Sequence, residues 1–196
     1  MARFRVGIIA CGSIARHHAR AWRAIGDRVD LVAIADSNEQ AREEFGERWG
    51  IDPDRRYADY RTMLDRERLD IVSICSWHGQ HAEMTIAAAA RKPKLILCEK
   101  PMATSLQEAD EMIIAARRNG VKLAIGHMRR FYAAWEEARR LIAAGAIGQP
   151  RRAWSVIRDG LLNWGTHTID GLRFALGDPQ AVWVMGAVER RTDRYE

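Results

Sequence analysis

Lysine is scarce in this chain. Of its 31 basic residues 27 are arginine, and the four lysines stand at 92, 94, 100 and 122. The net charge is only +5, and the arginines are scattered beside acids, as in DRERLD (65–70) and AREEFGER (41–48). Charge spread this way makes a solvated surface rather than a basic stripe, which argues against a nucleic-acid partner. Cysteine is scarce too. Cys11, Cys75 and Cys98 are odd in number and show no C-x-x-C spacing, so neither a disulfide framework nor a zinc or other metal site is expected. Each ends an apolar run (VGIIAC, IVSIC, LILC), where a buried, reduced thiol is the natural reading. No apolar run approaches the roughly 20 residues needed to cross a bilayer. The opening MARFRVGIIA is interrupted by Gly12 and Ser13 too soon to be a signal peptide. A cytoplasmic protein with no membrane partner is expected, and neither internal repeats nor low-complexity segments are present.

What is present is ordinary globular material: 196 residues, 47% hydrophobic and 29% charged, enough for one domain or one and a fraction. Short apolar runs predict strands at about 3–10, 29–35, 70–75, 94–98 and 121–126. Between them, helical patterns predict helices near 14–26, 38–49, 59–65, 80–91 and 105–119. The first places Ile14, Ala21, Trp22 and Ile25 on one face; the last opens with a capping box, Ser105 and Glu108, and closes at Asn119-Gly120. Short strands that are apolar on both faces and alternate with helices imply a parallel sheet covered on both sides. That is a doubly wound α/β domain of about 120 residues. After residue 126 the rhythm changes to a helix at 133–145, a strand RRAWSVI (151–157), the loop GLLNWG, a helix HTIDGLRFALG and a strand AVWVMGAVE (181–189). Two long strands have too few partners for a stable sheet, so the chain is expected to be cut short within a second, incomplete α+β domain.

The segment VGIIACGSIARHHARAW follows a strand and opens a helix, the context that a dinucleotide-binding turn requires. Against G-x-G-x-x-G/A the match is Ala10, Gly12 and Ala15. Gly12 lets the backbone approach a pyrophosphate, Ser13 and Ile14 begin the helix whose N–H groups face the phosphates, and Ala10 is tolerable if its φ stays negative. Asp36 ends the second strand, 21 residues after Ala15, where a carboxylate can bind the adenosine ribose hydroxyls. Ser37 follows it in place of an arginine that could grip a 2′-phosphate, which favours NAD over NADP. His18, four residues after Ile14, is expected to be a buried structural histidine. The domains are therefore expected at 1–123, binding a dinucleotide, and 124–196, a partial substrate or oligomerisation domain.

ILCEKPMATSLQEAD delivers Glu99, Lys100 and Pro101 to the carboxyl edge of the sheet, where ligands of open α/β folds bind. This stretch resembles the Glu-Lys-Pro motif of the glucose–fructose oxidoreductase and inositol dehydrogenase family (Gfo/Idh/MocA). ACGSIA, VSICSWHGQHAEMTIAAA, IGHMRRF and GTHTIDGLRFALG resemble other segments of that family, so the resemblance covers nearly the whole chain. It implies a Rossmann doubly wound parallel sheet followed by an α+β domain with an antiparallel sheet, incomplete in this chain. It also implies an NAD(P)-dependent oxidoreductase moving a hydride between the nicotinamide and a sugar, cyclitol or related polyol. Homo-oligomers are implied where the second domain is complete. The alternative is an NAD-binding protein of the same fold without dehydrogenase turnover, truncated or resembling a redox-assisted glycoside hydrolase.

The resemblance makes Lys100 the catalytic lysine, able to take or give the hydroxyl proton. Glu99 would face the nicotinamide ribose or Lys100 itself. Ser76, Trp77 and His78 stand where the family more often has Thr-Pro-Asn against the cofactor, and Trp77 could stack on a ring. His81 matches a family histidine, with a structural role or a ligand contact. Arg129, Trp164 and Asp170 fall on the substrate side. In NWGTHTID the family more often shows Asp-x-Gly-x-His; these positions are Asn163, Gly165 and His167. Asn163 cannot exchange a proton and would orient a hydroxyl or act as a helix N-cap. Asp170, three residues after His167, could hold the imidazole tautomer. His167 and Lys100 would share the proton work.

Overall fold

The computed structural model describes residues 3–157, 160–187 and 189. Two compact units meet in sequence at Gly126 and His127. This boundary falls beyond residue 123 because the last strand of the first unit's sheet continues to Ile125.

The first unit is a parallel sheet of β1 (Phe4–Ile9), β2 (Val29–Ala35), β3 (Arg56–Tyr57), β4 (Ile71–Ile74), β5 (Leu95–Cys98) and β6 (Lys122–Ile125). Their order is β3-β2-β1-β4-β5-β6, so winding reverses between β1 and β4. The carboxyl ends of these strands flank a crevice, the place where doubly wound sheets bind ligands. The helices are α1 (Ser13–Ala24), α2 (Glu39–Trp49), α3 (Tyr60–Arg66), α4 (His81–Ala90) and α5 (Leu106–Arg118).

Alternating side chains explain both the burial and the layers. Ile8 and Ile34 pack with Ala15 and Ala19 of α1 and Phe45 of α2. Their neighbours Ile9, Ala33 and Ala35 pack on the opposite face with Met63 of α3, Ala88 of α4 and Met112 of α5. Helix ends follow local chemistry. Asn38 Oδ1 accepts from Ala41 N–H at 2.9 Å to start α2, and Gly50 closes it at φ 61°. Ser105 Oγ accepts from Glu108 N–H at 3.2 Å to start α5. Part of the arginine-rich surface is paired with acids, as in Arg56–Glu43 at 2.7 Å and Arg91–Asp65 at 2.8 Å.

The second unit has a 3-10 turn (Met128–Phe131), α6 (Ala133–Ala143), a π turn (Leu161–Gly165) and α7 (Thr166–Ala175). α6 and α7 approach closely at Gly171, where a Cβ would lie 2.9 Å from the Trp135 ring. The strands expected at 151–157 and 181–189 are not found in the described part of those segments. A strand needs a neighbour for its N–H and C=O groups, and none lies alongside them among the described residues. The β-branched and aromatic residues that suggested strands are exposed instead, Trp154 at 79% and Val182 at 93%. No helix of the described residues is long and apolar enough to cross a membrane.

Candidate functional site

The first unit gathers most of the candidate residues at the carboxyl edge of its sheet. β1 ends at Ile9, and Ala10 turns the chain with φ 70°, bonded through its N–H to Ala35 O at 2.8 Å. The expectation of a negative φ at Ala10 is corrected. The turn demands the left-handed region that a glycine in this motif position occupies without a Cβ penalty. Gly12 then precedes α1 with extended backbone, no side-chain cap and no acidic residue in the helix's first turn. Open space surrounds the position its Cβ would take. The first N–H groups of α1 are thus left open at its positive end, which fits a pyrophosphate.

Asp36 follows β2 directly and is fixed at both oxygens. Cys11 N–H donates to Oδ2 at 2.7 Å and Asn38 N–H to Oδ1 at 2.8 Å. One carboxylate therefore ties the glycine turn to the β2–α2 loop, while Ser37 beside it is exposed. Arg42 Nη1 donates to the Asp36 carbonyl at 2.9 Å, and its Nε donates to Glu43 Oε1 at 3.3 Å. Cys11 lies beneath the turn, its thiol pushed up to about 12 by burial and by Asp36.

After β4 come Ser76, Trp77 and His78. Trp77 is 68% exposed with its ring 5.9 Å from that of His78. His78 is held below its ordinary value of 6.5 by burial and by the charges of His81 and Lys100, so it stands as a neutral imidazole near the lysine. Of the two roles open to His81, structural or cofactor contact, its surroundings support the structural one. His81 has no exposed surface, and its ring faces two carbonyl oxygens, Pro101 O from Nδ1 at 2.8 Å and Ser76 O from Nε2 at 3.0 Å. It staples the loop after β4 to the loop after β5.

Glu99 is corrected as a cofactor contact. It is buried, with Oε1 2.9 Å from His18 Nε2, and Oε2 accepts from Lys100 N–H at 3.1 Å. Its tie to Lys100 is the surviving half of the expectation. His18 is buried, as a structural histidine should be, but it is also the partner of the residue beside the candidate catalytic lysine. Lys100 itself is half-buried.

The second unit brings together Arg129, Trp164, His167 and Asp170. The Arg129 guanidinium lies 5.7 Å over the Trp164 ring, and the Trp164 and His167 rings are 6.4 Å apart. His167 is buried. Asp170 is corrected as an imidazole-holding carboxylate for His167: Arg130 binds it through Nε at 2.9 Å and Nη2 at 2.6 Å. Arg130 Nη2 also donates to Asp178 Oδ1 at 2.8 Å. His127 Nδ1 stands 3.6 Å from Asp170, and its ring meets His167 edge-on at 6.0 Å. Asn163 is not an N-cap, because the chain is already wound from Leu161 and α7 has no side-chain cap. Instead its carbonyl accepts from Thr166 Oγ1 at 3.1 Å.

Sequence reasoning missed the parts played by Arg130, His127 and Arg42. Arg130 and its carboxylates are 40 and 48 residues apart, a distance at which no local spacing signals a pair. Among the described residues, no three metal-ligating side chains converge.

The chain is similar to several known proteins. The chain is 32% identical over 193 residues to a D-apiose dehydrogenase from Paraburkholderia graminis, covering 90% of this chain and 50% of that protein. It is 29% identical over 199 residues to a myo-inositol 2-dehydrogenase from Thermotoga maritima, covering 94% and 58%. An oxidoreductase from Agrobacterium radiobacter, solved in complex with NAD+, L-tartaric acid and magnesium, superposes with a TM-score of 0.79 at 26% identity, covering 90% of this chain and 55% of that one. The WlbA dehydrogenase from Bordetella pertussis, solved with NADH and UDP-GlcNAcA, superposes with a TM-score of 0.78 at 25% identity, covering 89% and 59%. The chain thus spans between 50% and 59% of the length of these proteins. Residues 4–127 match the oxidoreductase family with an NAD-binding Rossmann fold, GFO_IDH_MocA, and the chain belongs to that family.

Proposed function

We propose that this chain carries the cofactor-binding part of an NAD-dependent oxidoreductase that moves a hydride between the nicotinamide and a sugar, cyclitol or related polyol. The observation that carries this reading is Asp36, its two oxygens fixed by Cys11 N–H and Asn38 N–H beside the open N-terminus of α1. A carboxylate held there is prepared to accept from ribose hydroxyls and would repel a 2′-phosphate, which supports NAD over NADP. Arg42 supports the same preference, since its guanidinium is held by the Asp36 carbonyl and the Glu43 carboxylate. The dehydrogenase names of the relatives support the reaction class, and the names of the apiose and inositol enzymes support a polyhydroxylated substrate.

Bound NAD supplies the hydride acceptor. Lys100 takes the hydroxyl proton when an alcohol is oxidised and returns it when a carbonyl is reduced. His78, kept neutral beside it, does not compete as a second cation. Ser76, Trp77 and Ser37 offer the accessible polar and aromatic surface of the cofactor edge. In the second unit His167 serves as acid, base or hydroxyl ligand, Asn163 positions, and the Arg129–Trp164 pair offers the flat cationic–aromatic surface that suits a sugar ring.

The test is Lys100→Met. Turnover of the responsive polyol, followed as NADH at 340 nm, should fall by about a hundredfold or more while NAD affinity is kept. Undiminished turnover would refute the role of Lys100. NAD binding with no turnover across a broad polyol panel in the unaltered chain would favour a binding protein instead.

A further inference from the structure

The neighbourhood of Glu99 has more structure than a buried acid requires. Both carboxylate oxygens are used, Oε1 on His18 Nε2 at 2.9 Å and Oε2 on the Lys100 N–H at 3.1 Å. Burial pushes Glu99 up, yet the His18 bond and the nearby Lys100 hold its carboxyl below the ordinary 4.5, so it is ionised at neutral pH. An ionised carboxylate only accepts, so the proton of the His18 bond sits on Nε2. His18 is buried, and its Nδ1 has no partner among the described residues, which leaves Glu99 as the ring's polar anchor. Among the described residues, two thiols also feel this carboxylate. Cys75 lies well above 9.0 and Cys98 at about 12, each raised first by burial, so both stay uncharged. Opposite, Gly126 leaves room that a side chain would take: a Cβ there would lie 2.8 Å from Glu99 Oε1.

We propose that His18 is a positioning residue for Lys100, acting through the Glu99 carboxylate that it holds. This rests on the role given to Lys100 above. The link runs from α1, whose first turn is open to phosphates, through one buried carboxylate to the backbone of the lysine. His18 and Glu99 lie 81 residues apart, so only the fold brings them together.

The test follows Lys100 directly in the unliganded chain. Reductive 13C-methylation labels the four lysines and the chain's amino terminus, and the Lys100 signal is identified by its loss in Lys100→Arg. In His18→Leu the carboxylate loses its anchor and turns to the ammonium. The Lys100 titration midpoint should then rise by about half a pH unit. His18→Gln, which retains an N–H donor, should restore the original midpoint. Gly126→Ala, which crowds Oε1 from the other side, should also move it. NAD affinity should stay within about twofold in His18→Gln, as expected when α1 is intact. A Lys100 midpoint unmoved in folded His18→Leu, or unmoved in Gly126→Ala should His18→Leu not fold, would overturn the proposal. So would a failure of His18→Gln to restore it. Because this readout needs no turnover, it stands or falls separately from the Lys100→Met assay.

Discussion

In the first unit Ile8, Ile34, Val72 and Ile96 have no exposed surface, whereas in the second Val182, Trp183, Val184 and Met185 are 76% to 93% exposed. The first unit gains its order from parallel ladders and from apolar side chains buried on both faces of one sheet. In the described part of the second, the prominent ties are charged. Arg130 and Arg139 flank Phe174 at 5.3 and 4.5 Å, and both reach Asp178. Buried ladders place loop residues reproducibly, which is why the cofactor edge can be built from backbone N–H groups and a few fixed side chains. A charged cluster near the surface holds two helices together but is open to salt and water.

The largest effect is expected at His81, the staple between two loops of the first unit. His81→Leu removes the ring between the part-buried carbonyls of Ser76 and Pro101, leaves at least one of them without its donor, and should cost about 3 kcal/mol. Chemical denaturation of the variant measures this, and a loss below about 1 kcal/mol would show that the staple is dispensable. In the second unit, Arg130→Ala strips Asp170 of its partner. With its surroundings partly wet, about 2 kcal/mol is expected, and high salt should shrink the difference between variant and parent. A salt-independent loss would mean that packing against Phe174, not charge, carries the effect. The smallest change is Ala10→Gly, which relieves the left-handed φ of 70°. Weighed against the added freedom of glycine when unfolded, a gain of about 0.5 kcal/mol in unfolding free energy is expected. A destabilised variant would contradict the strain argument.

What the sequence revealed, and what it did not, follows the same division. β2 lies at 29–35 as the apolar run LVAIA and its flanks predict, and all five helices of the first unit lie within two residues of their patterned segments. Periodicity reports burial, and in this unit burial decides structure. Asp36 was readable because its position after β2 is a local fact. The Ala10 dihedral, the His18–Glu99 bond and the two carbonyl partners of His81 were not, since each depends on loops that meet only in the folded chain. Among the described residues of the second unit the same β-branched and aromatic signals at 151–157 and 181–187 form no strand, because a strand is a property of a pair and not of one segment.

The direct test of the account is an NAD titration of the chain and of Asp36→Ala, with NADP as the comparison. Loss of a fixed carboxylate acceptor should weaken NAD by about tenfold or more, the size of a hydrogen bond to a charged group, and weaken NADP less. An unchanged NAD affinity, or an unchanged preference between the two cofactors, would contradict the reading of Asp36 as the ribose-binding residue.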